Sequence, residues 1–260
     1  FSDKAALVVD SGFSFTHIVP IFEGKIYTNG VVRVDVGGKL MTNYLKEIVS
    51  FRQMNILNEP YIANQIKEDV CRVSPSFVHE LKSMSTSNVI KYILPDFHHH
   101  HRGYIKSPKS SDTQSQFLNI TNEAIVVPEL LFNPSIIGLK QMGLSDAISY
   151  SISQLPLELR PLMYANIVIT GGNSLFKNFK ERVFDDIRSD CPDLLTPVVE
   201  LPENPITYAW EGGKYLSTTL QADNFISKSQ YDELGSSRLG RIIFDLNYHH
   251  ENTTKLEIIT

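Results

Sequence analysis

Leu7-Val8-Val9-Asp10-Ser11-Gly12 is an apolar stretch that ends in a carboxylate, a hydroxyl and a glycine. The apolar run over 5–9 has the length of a buried strand, and an extended pattern resumes over 15–22. Glu23-Gly24-Lys25 then turns the chain into 26–36, so three strands joined by tight turns are expected. A glycine in such a turn lets backbone N–H groups approach a phosphate, and the carboxylate beside it can hold a hydrated divalent cation. The same tripeptide also serves as an ordinary turn.

The hydrophobic period changes after Gly37-Gly38. Leu40, Met41, Tyr44, Leu45, Ile48 and Val49 recur at three- and four-residue spacing, one apolar face of a helix. Asn58-Glu59-Pro60 reads as the next helix start, with Asn58 as cap and Ile62, Ile66, Val70 and Val73 as the buried stripe. Residues 89–94 and 117–120 read as a pair of hairpin strands, and 97–116 between them as an inserted, mobile loop. Residues 134–155 are helical with breaks at Gly138 and Gly143, 166–170 a buried strand, and 174–188, 207–219 and 228–234 further helices. The stretch 236–260 has no clear period. Strand clusters alternating with helices give an α/β chain. Val8, Val9, Leu45, Ile167, Val168 and Ile169 are expected to face its core.

The 260 residues suit one large domain or two small ones, and 42% hydrophobic with 20% charged residues excludes a disordered chain. A net charge of −5 argues against a surface wholly devoted to nucleic acid. Cys71 and Cys191 lie too far apart for a CxxC pair and read as reduced thiols. No run approaches a membrane span or a secretory leader, and without an initiator Met, Phe1 is not expected to be the natural start.

Thr170-Gly171-Gly172-Asn173 follows a buried strand and precedes a helix, a second place where phosphate could meet backbone donors, or a plain strand–helix connection. Lys67 and Glu68 lie off the apolar stripe of their helix, as solvated residues also would. His98–His101 invite a metal reading, but adjacent residues in a flexible loop rarely reach tetrahedral geometry without further ligands. His17 is a catalytic candidate or a packed strand residue.

Together these features resemble the second half of actin and the actin-related proteins. The resemblance is carried by Leu7-Val8-Val9-Asp10-Ser11-Gly12, Thr16-His17, Val19-Pro20-Ile21, Glu23-Gly24, Arg33-Val34-Asp35, Thr42-Asn43-Tyr44-Leu45, and Ile66-Lys67-Glu68 with Cys71. It continues through Pro128-Glu129, Leu131-Phe132, Pro134-Ser135, Ile137-Gly138, Tyr164-Ala165-Asn166 and Gly171-Gly172, then Trp210-Glu211-Gly212-Gly213 and Gln230-Tyr231-Asp232-Glu233 with Gly235. Within that family, Pro205-Ile206-Thr207-Tyr208-Ala209-Trp210-Glu211-Gly212-Gly213 is similar to the sixth, nuclear class, subunits of the SWR-type remodeller that exchanges a variant histone into nucleosomes.

The resemblance implies the actin/sugar-kinase/heat-shock-chaperone ATPase fold, mainly its second lobe: a mixed sheet with flanking helices and an inserted α+β subdomain. Residues 1–36 and 139–206 would form the inner subdomain, 37–138 the outer one with mobile loop 97–116, and 207–260 a return segment toward the first lobe and a C-terminal tail. It implies Asp10 near a metal held through water, and Ser11 and Gly12 as a phosphate loop. Gly38, Lys67 and Glu68 would lie on the adenosine side, Gly171 and Gly172 near phosphates and sugar, and Phe176 beside the base. His17 matches the histidine that helps order the attacking water.

Several positions depart from the family pattern. Phe13-Ser14 stands where actin has an acidic residue and glycine, Asn64 replaces an arginine, Phe176 replaces a tyrosine, and a lysine near the base has no counterpart around 204–206. The first lobe, with the other phosphate loop and the water-positioning glutamine, would precede Phe1, leaving half a site in this chain. The expectation is therefore a nuclear scaffold, not an enzyme, with His17 vestigial. ATP or ADP with Mg would be an optional ligand. Its partners would be an SWR-type remodeller ATPase and its small subunits, with nucleosomal DNA reached through the complex, no membrane and no homo-oligomer. The rival is a filament-forming ATPase. A third reading puts the loop 97–116, with Arg102, Lys106 and Lys109, on DNA.

Overall fold

The computed structural model describes residues 5–83, 89–107, 115–220 and 225–241. The first apolar run becomes β1 (Ala5–Ser11), which turns back through Gly12–Phe15 into β2 (Thr16–Phe22). The expected third strand is divided. β3 (Lys25–Ile26) and β4 (Val32–Val34) are separated by a 3-10 turn at Thr28–Gly30. That turn sits close against its neighbours: a side chain at Gly30 would meet Pro20 Cγ at 2.7 Å, and Ser151 Oγ donates to the Gly30 carbonyl at 2.6 Å.

Two helices follow, α1 (Gly38–Arg52) and α2 (Pro60–Val70). Pro60 opens α2 as expected, but its N-cap is Glu59 rather than Asn58, and no side chain caps it. Next come α3 (Phe77–Ser83), β5 (Ile90–Ile93), β6 (Tyr104–Ile105), β7 (Phe117–Ile120) and α4 (Glu123–Glu129). A 3-10 turn at Pro134–Ile137 ends on Gly138 at φ 77°, before α5 (Leu144–Ser153) and α6 (Arg160–Tyr164). β8 (Ile167–Thr170), α7 (Phe179–Asp190), β9 (Val199–Glu200) and α8 (Tyr208–Thr219) complete the order.

The main sheet runs β3-β2-β1-β8-β9, with β4 also on β2. β1 pairs antiparallel with β2 and parallel with β8, so the sheet is mixed. Ala5, Leu7, Val9 and Ser11 face the core by strict alternation. Val8 therefore lies on the other face and is half-buried, correcting its expected place; Val9, Leu45, Ile167, Val168 and Ile169 are buried.

The smaller sheet has the order β6-β5-β7, and the hairpin pairing of β5 with β7 is as expected. The loop between them is not structureless where it is described. Asp96 accepts from the backbone N–H groups of His98, His99 and His100, β6 pairs with β5, and Arg102 binds Asp69 at 2.7 Å. Residues 108–114, including Lys109, lie outside the described residues.

Phe1–Ala209 forms one compact unit, in which strands β1 and β8, helices α1, α2, α5 and α7, and the small sheet share a continuous apolar core. Trp210–Thr260 forms a second unit. Its helical residues 228–241 pass through Gly235 at φ 71°, and Leu239, which is buried, lines a hollow of about 440 Å³ with the exposed Ile226 and Tyr231. Of the tail, 236–241 is helical and 242–260 lies outside the described residues. Among the described residues no helix is long and apolar enough to cross a membrane.

Candidate functional site

Three backbone segments meet at the carboxyl end of β1. The β1–β2 hairpin is closed by a bond from the Gly12 N–H to the Phe15 carbonyl at 3.1 Å. Its outer carbonyls cap α1: the Gly38 N–H donates to Gly12 O at 3.1 Å and the Lys39 N–H to Phe13 O at 2.7 Å. These bonds satisfy two of the helix's orphan donors without a side chain. A Cβ at Gly37 would meet Phe13 O at 2.7 Å, so the close approach requires glycine.

The third segment is the turn after β8. Gly171 has φ 89° and lies against the Ser11 carbonyl, and a Cβ there would come within 2.7 Å of Asp10 Oδ1. A Cβ at Gly172, by contrast, would meet nothing within 4 Å. Gly171→Ala combines a left-handed backbone with a collision against main chain. It should cost about 2–3 kcal/mol or more, visible as a lowered melting temperature of the full-length protein, whereas Gly172→Ala should be near neutral.

Side chains tie these segments together. Ser11 and Thr16 share a hydroxyl hydrogen bond at 3.1 Å, and Thr16 Oγ1 donates to Val36 O at 3.0 Å. Asn173, which is buried, donates through Nδ2 to Gly12 O at 2.7 Å and to Ser11 Oγ at 3.1 Å. Lys67 is 4% exposed, so it does not belong to a solvated face. Its ammonium donates to Gly38 O, Thr42 Oγ1 and Asn64 Oδ1 at 3.1, 3.1 and 2.8 Å. Burial pushes its pKa down, opposed by the charge of nearby Glu68. Glu68 itself is exposed and accepts from Asn64 Nδ2 at 2.7 Å.

Asp10, Ser11, Gly12, Gly38, Lys67, Gly171 and Gly172 are thus brought into one constellation. Phe176 is not placed among these polar groups; it is 9% exposed and belongs to the apolar core. Asn173, Thr42 and Asn64 join the site although the sequence did not nominate them as ligand residues. Asn173 could have been found, because it directly follows the Gly171-Gly172 pair.

Phe13 is 59% exposed, with its ring edge 3.1 Å from where a Gly38 Cβ would sit and the Lys67 ammonium 5.9 Å from its centroid. His17 pairs across the strands with Asp10 on one side and Arg33 on the other. Its ring packs on Phe15 at 4.6 Å, and the Arg33 guanidinium lies 4.3 Å above the same Phe15 ring. His17 is therefore wedged beside an aromatic side chain, with an exposed Asp10 as its cross-strand neighbour.

The remaining candidates fall elsewhere. His98–His101 are exposed around the Asp96 turn, and among the described residues no group of three or more His, Cys, Asp or Glu could hold a metal ion. Arg102 is paired with Asp69, which reduces the positive charge the loop offers to a phosphate backbone. The Cys71 thiol is buried and pushed up to about 12, which makes it an inert packing residue.

The residues present fit a phosphate-bearing ligand at one edge: Gly171 brings the turn after β8 against the Ser11 carbonyl, Gly172 leaves open space, and the Asp10 carboxylate is exposed. A family model described as Actin matches residues 2–244. The chain is 39% identical to Actin-related protein 6 of Drosophila melanogaster over 88% of its length and 60% of that protein. It is 34% identical to Actin-related protein 6 of Arabidopsis thaliana over 93% of its length and 64% of that protein. Actin-like protein ARP6 of Yarrowia lipolytica is 41% identical, with 89% of this chain and 61% of the relative covered. The chain thus spans about three-fifths of the length of the curated relatives it matches.

Proposed function

This chain belongs to the actin family, and from that premise we propose that it is part of a non-catalytic scaffold subunit of a nuclear, SWR-type chromatin remodeller. The observation that carries the proposal is 34–41% identity, over about nine-tenths of the chain, to proteins named as the sixth actin-related class. In this reading the protein docks onto the remodeller ATPase and small subunits, works in the nucleus as a single copy, and reaches nucleosomal DNA through the complex. Phe13 supports a role without hydrolysis, because an apolar ring occupies the place where the resemblance expects a carboxylate beside the phosphate loop. The constellation around Asp10, Gly12 and Gly171 supports retained binding of ATP or ADP, with Asp10 the residue placed to hold Mg through water.

The test is purification of the tagged full-length protein from nuclear extract, with its partners identified. Recovery with a remodeller ATPase and histones is expected; recovery alone, with salt- and ATP-dependent filaments on sedimentation, would overturn the scaffold role in favour of a polymerising ATPase.

The C-terminal tail can be tested in the same assay. Leu239 is buried, so it is not counted among the docking residues. Ile242, Ile243 and Phe244 are among the apolar residues of the tail beyond it. Deleting 242–260 should weaken recovery of the complex severalfold while leaving the melting temperature within a few degrees. Unchanged recovery would remove the tail from the interface.

A further inference from the structure

Asn173 closes the Thr170-Gly171-Gly172-Asn173 stretch, but the backbone-donor reading of that stretch gives its side chain no role. It is 5% exposed, yet its amide is directed at polar main chain and side chain rather than at the core. Nδ2 donates to both Ser11 Oγ and Gly12 O, the two positions where β1 turns into the hairpin. Oδ1 lies on the opposite side of the amide, 3.3 Å from where a Cβ on Gly38 would sit, and the Lys67 ammonium is 3.2 Å from that same point. The Asn173 backbone carbonyl accepts from the Phe176 N–H at 3.1 Å, closing the short turn that begins at Gly172. One side chain thus bonds to the hairpin and lies beside the start of α1, while its main chain fixes the Gly171-Gly172 turn.

We infer that Asn173 is the positioning residue of the nucleotide site, clamping the 11–16 hairpin to the Gly171-Gly172 turn so that both present their backbone to one phosphate-bearing ligand. The inference rests on the proposal that the full-length protein binds ATP or ADP. Preorganisation of this kind moves ligand affinity through groups that the residue itself never contacts, because unbound loops must otherwise be ordered when the ligand arrives. Ser11 lies within the clamp: its hydroxyl receives the Asn173 amide and shares a hydrogen bond with Thr16. Losing Asn173 therefore removes one of the two hydrogen-bond partners of the Ser11 hydroxyl.

The experiment titrates Mg·ADP and Mg·ATP into full-length protein by calorimetry. Variants are Asn173→Ala, Asn173→Asp, Ser11→Ala and the Ser11→Ala/Asn173→Ala pair, and each is melted in parallel. Asn173→Ala should weaken binding about tenfold or more. Asn173→Asp should weaken it at least as much, because a carboxylate cannot donate to Gly12 O. The double variant should lose less affinity than the product of the two single losses, since coupled groups lose their joint effect once. Asn173→Ser, which keeps one short donor, should recover part of the affinity and serves as the readout if the alanine variant fails to fold. Wild-type affinity in both Asn173→Ala and Asn173→Asp would overturn the inference, as would losses from Ser11→Ala and Asn173→Ala that simply multiply. A wild-type protein that binds neither nucleotide at millimolar concentration would instead overturn the nucleotide reading and the inference with it.

Discussion

Full-length protein carrying this chain is expected to hydrolyse ATP on the order of a hundredfold more slowly than actin, or below detection. Removing one member of a preorganised electrostatic cluster costs about 3 kcal/mol of transition-state stabilisation, which is that factor in rate. Phe13 stands where the family resemblance places a carboxylate, and its ring is packed beside Gly38 and the Lys67 ammonium rather than contributing charge. His17 remains, but its ring packs against Phe15, whose ring also carries the Arg33 guanidinium, so the imidazole is set beside an aromatic side chain. His17→Ala should therefore change the residual turnover little. A steady-state assay with purified protein decides the matter: an actin-like rate that disappears on His17→Ala would sink the non-catalytic role.

The legible parts of the fold were those with a strong local period. β1, β2, β8, α1 and α2 each announce themselves through alternation or an apolar stripe, and the structure bears them out with small shifts of their ends; α7 starts at Phe179, five residues later than expected, because a 3-10 turn at Gly172–Leu175 comes first. α4 was missed because Glu123–Glu129 carries an internal Pro128 and is buried almost throughout, so no polar face marks it as a helix. β6 was missed because its two residues are held by tertiary pairing with β5 and by the Asp96 turn, neither of which has a period. Val8 was misplaced for a different reason: a short apolar run does not say which face of its strand is packed on one side only. In the site, Gly171 was legible because a glycine after a buried strand marks a place where main chain can approach closely, as it does against Ser11. The burial of Lys67 was not, because it depends on Thr42 and Asn64 arriving from two helices to replace water around the ammonium.

The largest single-residue effect on stability should come from Arg182, on α7. Its guanidinium, 14% exposed, binds Glu129 through both terminal nitrogens at 3.1 and 3.2 Å, Asp186 through Nε at 3.0 Å and the Ser74 carbonyl at 2.8 Å. It also lies 4.7 Å from the centroid of Phe132. Glu129 is itself buried, and burial pushes its carboxyl pKa up while Arg182 pulls it back down. Truncating one partner of a buried pair leaves an uncompensated charge, so Arg182→Ala should cost about 3–5 kcal/mol. For a domain of this size, each kcal/mol corresponds to roughly 2–4 °C, so the melting temperature should fall by about 6 °C or more. Arg182→Lys should recover only part of this, since an ammonium cannot span both Glu129 oxygens and Asp186. The defect should also depend on pH in a definite direction. Without Arg182 the upward push on Glu129 is unopposed, so its folded pKa rises further above its unfolded value. A carboxyl shifted that way is penalised once pH exceeds the unfolded pKa, and the penalty is complete only above the folded pKa. The Arg182→Ala deficit should accordingly shrink as pH falls toward the acid range, where Glu129 is buried as the neutral acid. Paired melts of wild type and variant across that range provide the check, and a deficit of less than 2 °C at neutral pH, or one that grows on acidification, would show that Glu129 and Arg182 are not the buried pair described here.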